Sequence, residues 1–193
     1  MPRWKPDAKQ RLVVAALSLF TEQGYDATTV AEIAERAGLT RSTFFRHFGD
    51  KREILAAGQT TLSRLLVEGI EGAPAGATPL QAVAAGLERA SGAMTSFNRE
   101  LSPLLRAAIE ANEELQHRDA LKIIGLAAAM TEALIQRGIA EATAHVATEI
   151  GVLAFKRGFA RWTDPAHDHD PGELATHTRA ALAELTTAVT ELR

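Results

Sequence analysis

Between residues 29 and 51 the chain gathers side chains suited to nucleic acid: Thr29, Arg41, Ser42, Thr43, His47 and Lys51. Arg41 carries a planar fork of donors that matches O6 and N7 of guanine, while Ser42 and Thr43 suit a base edge or a thymine methyl. Each has a plainer use as well. Arg41 also fits a phosphate, and Ser42 and Thr43 also fit as helix caps or solvated positions. Thr29 and Lys51 stand at expected helix N-termini, where free amides and the helix dipole favour a phosphate. Catalytic chemistry is not visible. No nucleophile stands with a base, no glycine loop cradles a phosphate, and no carboxylate pair is apparent, so neither an enzyme nor a cofactor is expected. The chain has no cysteine, which excludes disulfides, thiolate metal sites and a cysteine nucleophile.

These residues need short, sharply ended elements to hold them. Val13, Ala16, Leu17 and Phe20 recur at helical spacing, which predicts a helix over about 7–23 that Gly24 stops. Thr29-Val30-Ala31-Glu32 has the form of a capping box. The helix it opens carries Val30, Ile33, Ala34 and Ala37 on one face and ends at Gly38. Thr40 suits the cap of a third, short helix with Phe44 and Phe48 one turn apart, and Asp50 the cap of a fourth that starts near Lys51. Two short helices joined by a turn at Gly38-Leu39 have helix-turn-helix spacing, in which the N-terminal end of the second helix meets the bases. Phe20, Ile33, Phe44 and Phe48 are expected to be the small core of this head.

Charge divides the chain in the same way. Residues 1–52 hold nine Lys/Arg and six Asp/Glu; residues 53–193 hold twelve and eighteen, within a total net charge of −3. A basic head on an acidic body suits approach to phosphates, although charge clustering by itself has a chance reading too. Arg3, Lys5 and Lys9 form an N-terminal arm that either adds DNA contacts or is a solvated tail. No apolar stretch follows this basic start, and none approaches the ~18 residues of a membrane span. A cytoplasmic protein without a membrane partner is expected.

The remainder reads as helices. Residues 72–77 form a linker, and Thr78-Pro79 restarts a helix expected to reach about residue 97. Further helices are expected over 100–111, 113–136, 141–162 and 173–192, with a loop over 163–172. With 46% hydrophobic and only 5% aromatic residues, the fold class is all-α. The expected domains are a helix-turn-helix head over 1–50 and a helical bundle over 51–193. Glu141 and His145 share a helix face, and His167-Asp168-His169-Asp170 has ligand-type residues; an exposed pair and a solvated loop account for them, so no metal is expected.

The run Gly24-Tyr25-Asp26-Ala27-Thr28-Thr29-Val30-Ala31-Glu32-Ile33-Ala34-Glu35-Arg36-Ala37-Gly38-Leu39-Thr40, continued by Arg41-Ser42-Thr43-Phe44-Phe45-Arg46-His47-Phe48-Gly49-Asp50-Lys51-Arg52-Glu53-Ile54-Leu55, resembles the TetR-family DNA-binding domain. About a quarter of the chain takes part. The resemblance implies backbone contacts at His47 and Lys51, with His47 alternatively a stacking residue inside the head. Where Phe45 stands the family commonly has a tyrosine whose hydroxyl touches a phosphate; Phe45 keeps only the ring and is expected to pack against the DNA backbone. The family's layout implies a homodimer through the helices at about 141–162 and 173–192, and a helical domain that senses a small molecule. Residues 100–162 also weakly resemble the C-terminal domain of regulators associated with mycofactocin systems, which hints at acyl-coenzyme A ligands.

Met94, Phe97, Arg106, Ile109, Leu126, Met130 and Phe155 are the candidate lining of an effector site: apolar walls with Arg106 for a carboxylate or phosphate. Plain helical core, and a surface pair of Arg106 with Glu110, account for the same residues. The function expected is a repressor released from a palindromic operator by a lipophilic or acyl-type ligand. A constitutive or architectural DNA-binding protein without an effector is the alternative.

Overall fold

A computed structural model describes residues 7–56, 58–167 and 173–192. The described residues are helical, with turns and a short 3-10 segment over 165–167 between the helices. They group into two compact units. One comprises residues 1–57 together with 101–121; the other comprises 58–100 together with 122–193.

In the first unit, α1 (Ala8–Gln23), α2 (Val30–Arg36) and α3 (Arg41–His47) follow the expected order. Asp7 opens α1 by accepting from the Gln10 amide at 2.8 Å. Gly24 ends it at φ 88°, a left-handed backbone that a side chain would strain. Leu12, Leu17, Phe20, Ile33 and Phe44 are wholly buried, and Phe48 nearly so. A three-helix head this small cannot cover the long apolar face of α1 by itself. Residues far along the chain join this core: Ala108 and Leu115 are wholly buried in it, with Leu101, Leu104, Leu105 and Ile109 packed against it. The compact units therefore cross the boundary that chain order places at residue 50.

The second unit contains α5 (Gln59–Glu71), α6 (Pro79–Gly92), α9 (Glu141–Trp162) and α10 (Leu174–Glu191). α7 (Ser96–Glu110) and α8 (Glu113–Gln136) have residues in both units. Thr78, Pro79 and Gln81 open α6 with a capping box and a proline at the first turn. Small residues set the helix crossings. A Cβ on Gly69 would lie 2.6 Å from the Ala85 carbonyl oxygen, and one on Gly158 2.6 Å from the Thr178 Cα. Both α5–α6 and α9–α10 therefore approach backbone to backbone. Ile70, Val83, Leu134, Ala144, Ala154 and Ala181 are wholly buried in this core. No helix among the described residues is long and apolar enough to cross a membrane.

Two expected helices are divided. The helix expected from Lys51 is α4 (Glu53–Ala56) followed by α5, and Gly58, at φ 88°, stands between them. The helix expected to reach about 97 ends at Gly92. Thr95 then starts α7, its amide and hydroxyl both donating to Asn98 Oδ1 at 2.9 and 3.0 Å. Asn98 thereby satisfies a helix-end group that a continuous helix would not expose.

Candidate nucleic-acid interface

α2 and α3 are held at a fixed angle by local chemistry. Thr29 and Glu32 close the capping box: the Glu32 amide donates to Thr29 Oγ1 at 3.3 Å, and the Thr29 amide donates to Glu32 Oε2 at 2.8 Å. The Thr29 hydroxyl also donates to Glu32 Oε2 at 2.7 Å. These bonds, the side-chain hydroxyl first, hold the Glu32 carboxyl below its ordinary pKa. Gly38 makes the turn at φ 63°. Arg11 of α1 donates from Nη2 to the Ala37 carbonyl and, at 3.3 Å, to the Gly38 carbonyl, so a guanidinium satisfies the C-terminal end of α2. Thr40 then caps α3, accepting from the Thr43 amide at 3.1 Å.

α3 buries one side and offers the other. Phe44 is wholly buried, while Arg41, Ser42, Phe45, Arg46 and His47 are exposed and Thr43 is half-buried. Arg41 and Phe45 are one turn apart and so share a face. Phe45 is 52% exposed, yet its ring is set edge-on to Phe44 at 5.5 Å between centroids. Arg46 leans back, its Nη2 donating to Thr43 Oγ1 at 2.9 Å. That bond occupies one lone pair of the Thr43 hydroxyl, which also lies 3.0 Å from Thr40 Oγ1. Lys9 of the basic arm lies 5.8 Å from the Phe48 ring centre; Arg3 and Lys5 lie outside the described residues.

Two expected phosphate contacts have other partners. Lys51 Nζ donates to the carbonyls of Tyr25 at 2.7 Å, Thr28 at 3.0 Å and Asp26 at 3.3 Å. It also stands 4.3 Å from the centre of the Tyr25 ring. An ammonium has three N–H groups, and these carbonyls take all three. In the free chain Lys51 is a fastener between the turn after α3 and the loop after α1. Thr29 is exposed, but its hydroxyl both donates and accepts within the capping box. Asp50 caps as expected, accepting from the Arg52 amide at 2.7 Å and the Glu53 amide at 3.2 Å. The bond from the Arg52 side chain is the main reason its carboxyl sits below the usual pKa.

Tyr25 was not singled out by sequence reasoning beyond its place in the matched run. It is buried, its ring 5.0 Å from that of Phe20, and its hydroxyl has no hydrogen-bond partner among the described residues. Burial pushes that hydroxyl's pKa up.

The candidate effector residues are dispersed. Met130 is buried in the core of the second unit, with Leu126 and Phe155 packed against that core. Ile109 packs against the core of the first unit, and Arg106, in the same unit, is exposed. Met94 and Phe97 are half-buried in the second unit. Within that unit a cavity of about 280 Å³ is lined by Ser91, Met94, Arg99, Trp162, Glu173 and Leu174 among others. Of the expected lining it includes Met94 alone. Arg99 Nε donates to the Trp162 carbonyl at 2.7 Å there. Glu141 and His145 form an exposed contact at 4.0 Å. Among the described residues no three His, Cys, Asp or Glu side chains gather as metal ligands. Asp168, His169 and Asp170 lie outside them.

Residues 12–57 match the family described as bacterial regulatory proteins, tetR family. The HTH-type transcriptional regulator TcmR of Streptomyces glaucescens is 40% identical over 75 residues, 39% of this chain and 33% of that protein. The matched stretch thus spans a third of that relative's length. Two solved structures share the fold over nearly the whole chain. FadR of Bacillus subtilis, solved in complex with stearoyl-CoA, has a TM-score of 0.58 at 20% identity, covering 91% of this chain and 96% of its own. NalD of Pseudomonas aeruginosa, the secondary repressor of the MexAB-OprM multidrug efflux pump, has a TM-score of 0.55 at 19% identity, covering 93% and 94%. These relatives are regulators, not enzymes. The helix-turn-helix head built on Thr29, Gly38 and Thr40 is thus a DNA-binding head of the tetR-family type over residues 12–57, followed by a helical body whose fold those structures share.

Proposed function

We propose that the protein is a cytoplasmic transcriptional repressor that binds a palindromic operator as a homodimer and leaves it when a lipophilic or acyl-type ligand occupies the body. The observation that carries the DNA-binding part is the exposed face of α3. A capped helix, fixed by its own core residue Phe44, holds Arg41, Ser42, Phe45 and His47 out to solvent. An α-helix so presented fits the major groove, where every base pair has a distinct donor and acceptor pattern. Arg41 is the proposed base reader, Ser42 and Thr43 its neighbours, and His47 a phosphate contact.

Pairing of two chains is supported by apolar side chains left in solvent on the last two helices: Val146 and Leu153 on α9, Val189 on α10 and Leu192 just past its end. Exposed apolar residues of this size on adjacent helices favour a partner surface. A two-fold dimer would set two copies of α3 about 34–36 Å apart, or a multiple of that, on a palindrome. The ligand-responsive part draws support from the shared fold with a protein solved with stearoyl-CoA and with one named a repressor.

Selection from a random duplex library with the purified full chain tests this reading. The expected product is one enriched palindrome that gives a discrete footprint and is released by long-chain acyl-CoA or another lipophilic compound. Enrichment without release by any ligand would leave a constitutive regulator. General coating of DNA without enrichment would leave an architectural protein.

A further inference from the structure

Phe45 is an apolar ring in the last turn of α3, whose other exposed residues are Arg41, Ser42, Arg46 and His47. The ring is half in solvent at 52% exposure, and it is fixed, because it rests edge-on against the wholly buried Phe44 at an interplanar angle of 82°. A phenyl group has no donor or acceptor, so it cannot bond a phosphate or a polar base edge. One feature of the major groove is apolar: the C5-methyl group of thymine. Phe45 stands one turn beyond Arg41 on the same face, so whenever Arg41 reaches a base the ring faces a base pair further along the groove.

We propose that Phe45 is a specificity-determining residue that reads a thymine methyl in each half-site of the operator. This rests on the DNA-binding reading above and adds to it the identity of one base. The rigid seat on Phe44 matters for the strength of the contact. A ring already held in place loses little conformational freedom on binding, so most of the gain from covering one methyl group is kept. Burying about one methyl group corresponds to about fourfold in affinity per half-site.

The test uses the operator recovered by selection with the full chain, remade with each thymine in turn replaced by deoxyuridine, which removes the methyl and nothing else. The wild-type chain is expected to lose about fourfold at one thymine of each half-site, and about fifteenfold when both symmetric positions are replaced. Phe45→Ala should bind more weakly and be indifferent to the methyl at that position, while keeping any methyl dependence elsewhere. Phe45→Tyr, which keeps the ring, should keep the dependence. Because half of the ring is in solvent, both variants are expected to stay folded, Phe45→Tyr at the wild-type urea midpoint and Phe45→Ala at a slightly lower one that reflects the lost contact with Phe44. The proposal is overturned if no thymine is sensitive, if the sensitivity persists in Phe45→Ala, or if Phe45→Ala weakens all sequences equally, which would put the ring on the sugar-phosphate backbone. If selection enriches no sequence at all, the DNA-binding reading falls, and this one with it; an operator that lacks methyl sensitivity sinks this one alone.

Discussion

Replacing Lys51 by methionine separates two accounts of this residue. Methionine keeps the apolar stem over Tyr25 and removes the ammonium. In the structure that ammonium donates to three carbonyls at 2.7, 3.0 and 3.3 Å and faces a ring at 4.3 Å. A hydrogen bond from a charged group contributes about 1.5–3 kcal/mol when its partner is cut off from water. Here the site is half-buried and Asp26 is exposed, so its carbonyl recovers water when Lys51 is gone. The two shorter bonds, at reduced strength, plus about 0.5 kcal/mol from the ring contact, give a loss of about 2 kcal/mol. That is about a thirtyfold fall in the folded-to-unfolded ratio of the head, without DNA present. The assay is urea unfolding of the free protein, followed by circular dichroism, with amide exchange of α2 residues to assign the transition to the head. A lysine that only touches phosphate would leave the free protein within about 0.5 kcal/mol of wild type, as surface substitutions do. An unchanged midpoint in Lys51→Met, with a salt slope of DNA binding shallower by about one, would refute the fastener and restore the phosphate clamp.

Other outcomes follow from the same structure. Thr29→Ala opens the capping box and should lower head stability by about 1 kcal/mol in the same unfolding assay. Acid should act on the same cap. Glu32 and Asp50 both have carboxyl groups held below their ordinary pKa, through Thr29 and Arg52 respectively. Their charged forms favour the folded state, so this stability is present above the unfolded values of 4.5 and 3.8 and is lost as the pH falls below them. Glu32→Gln should flatten that acid loss in a pH series of urea midpoints. Leu153→Glu on the exposed face of α9 should yield a monomer by analytical ultracentrifugation and abolish tight operator binding, while leaving the helical content unchanged.

The head was legible in the sequence because its determinants are local. A capping box is an i to i+3 relation, and Thr29–Glu32 and Thr78–Gln81 both close as their spacing requires. Gly24 and Gly38 mark the turns because they alone there adopt positive φ. What sequence did not show is non-local. The carbonyls that take up Lys51 lie 23 to 26 residues away, and no periodicity connects them. The part that Ala108 and Leu115 take in the core of the head is more distant still. The end of α6 was missed because Gly92-Ala93-Met94 continues an apolar helical pattern, and the signal for the break is the polar pair Thr95 and Asn98 beyond it. The effector candidates rested on helical spacing alone, which does not distinguish a cavity wall from core. Ile109, Leu126, Met130 and Phe155 accordingly belong to or pack against two separate cores.

The central claim is that the exposed face of α3 reads bases through Arg41. The most direct measurement is the ratio of affinities for the selected operator and a scrambled duplex of the same composition, at one salt concentration, for wild type and Arg41→Ala. A ratio of at least about 10³ is predicted for the wild type. Arg41→Ala should reduce it by about 10- to 100-fold, nearly all of it through weaker operator binding. A wild-type ratio near one, or equal losses on both duplexes, would contradict the account.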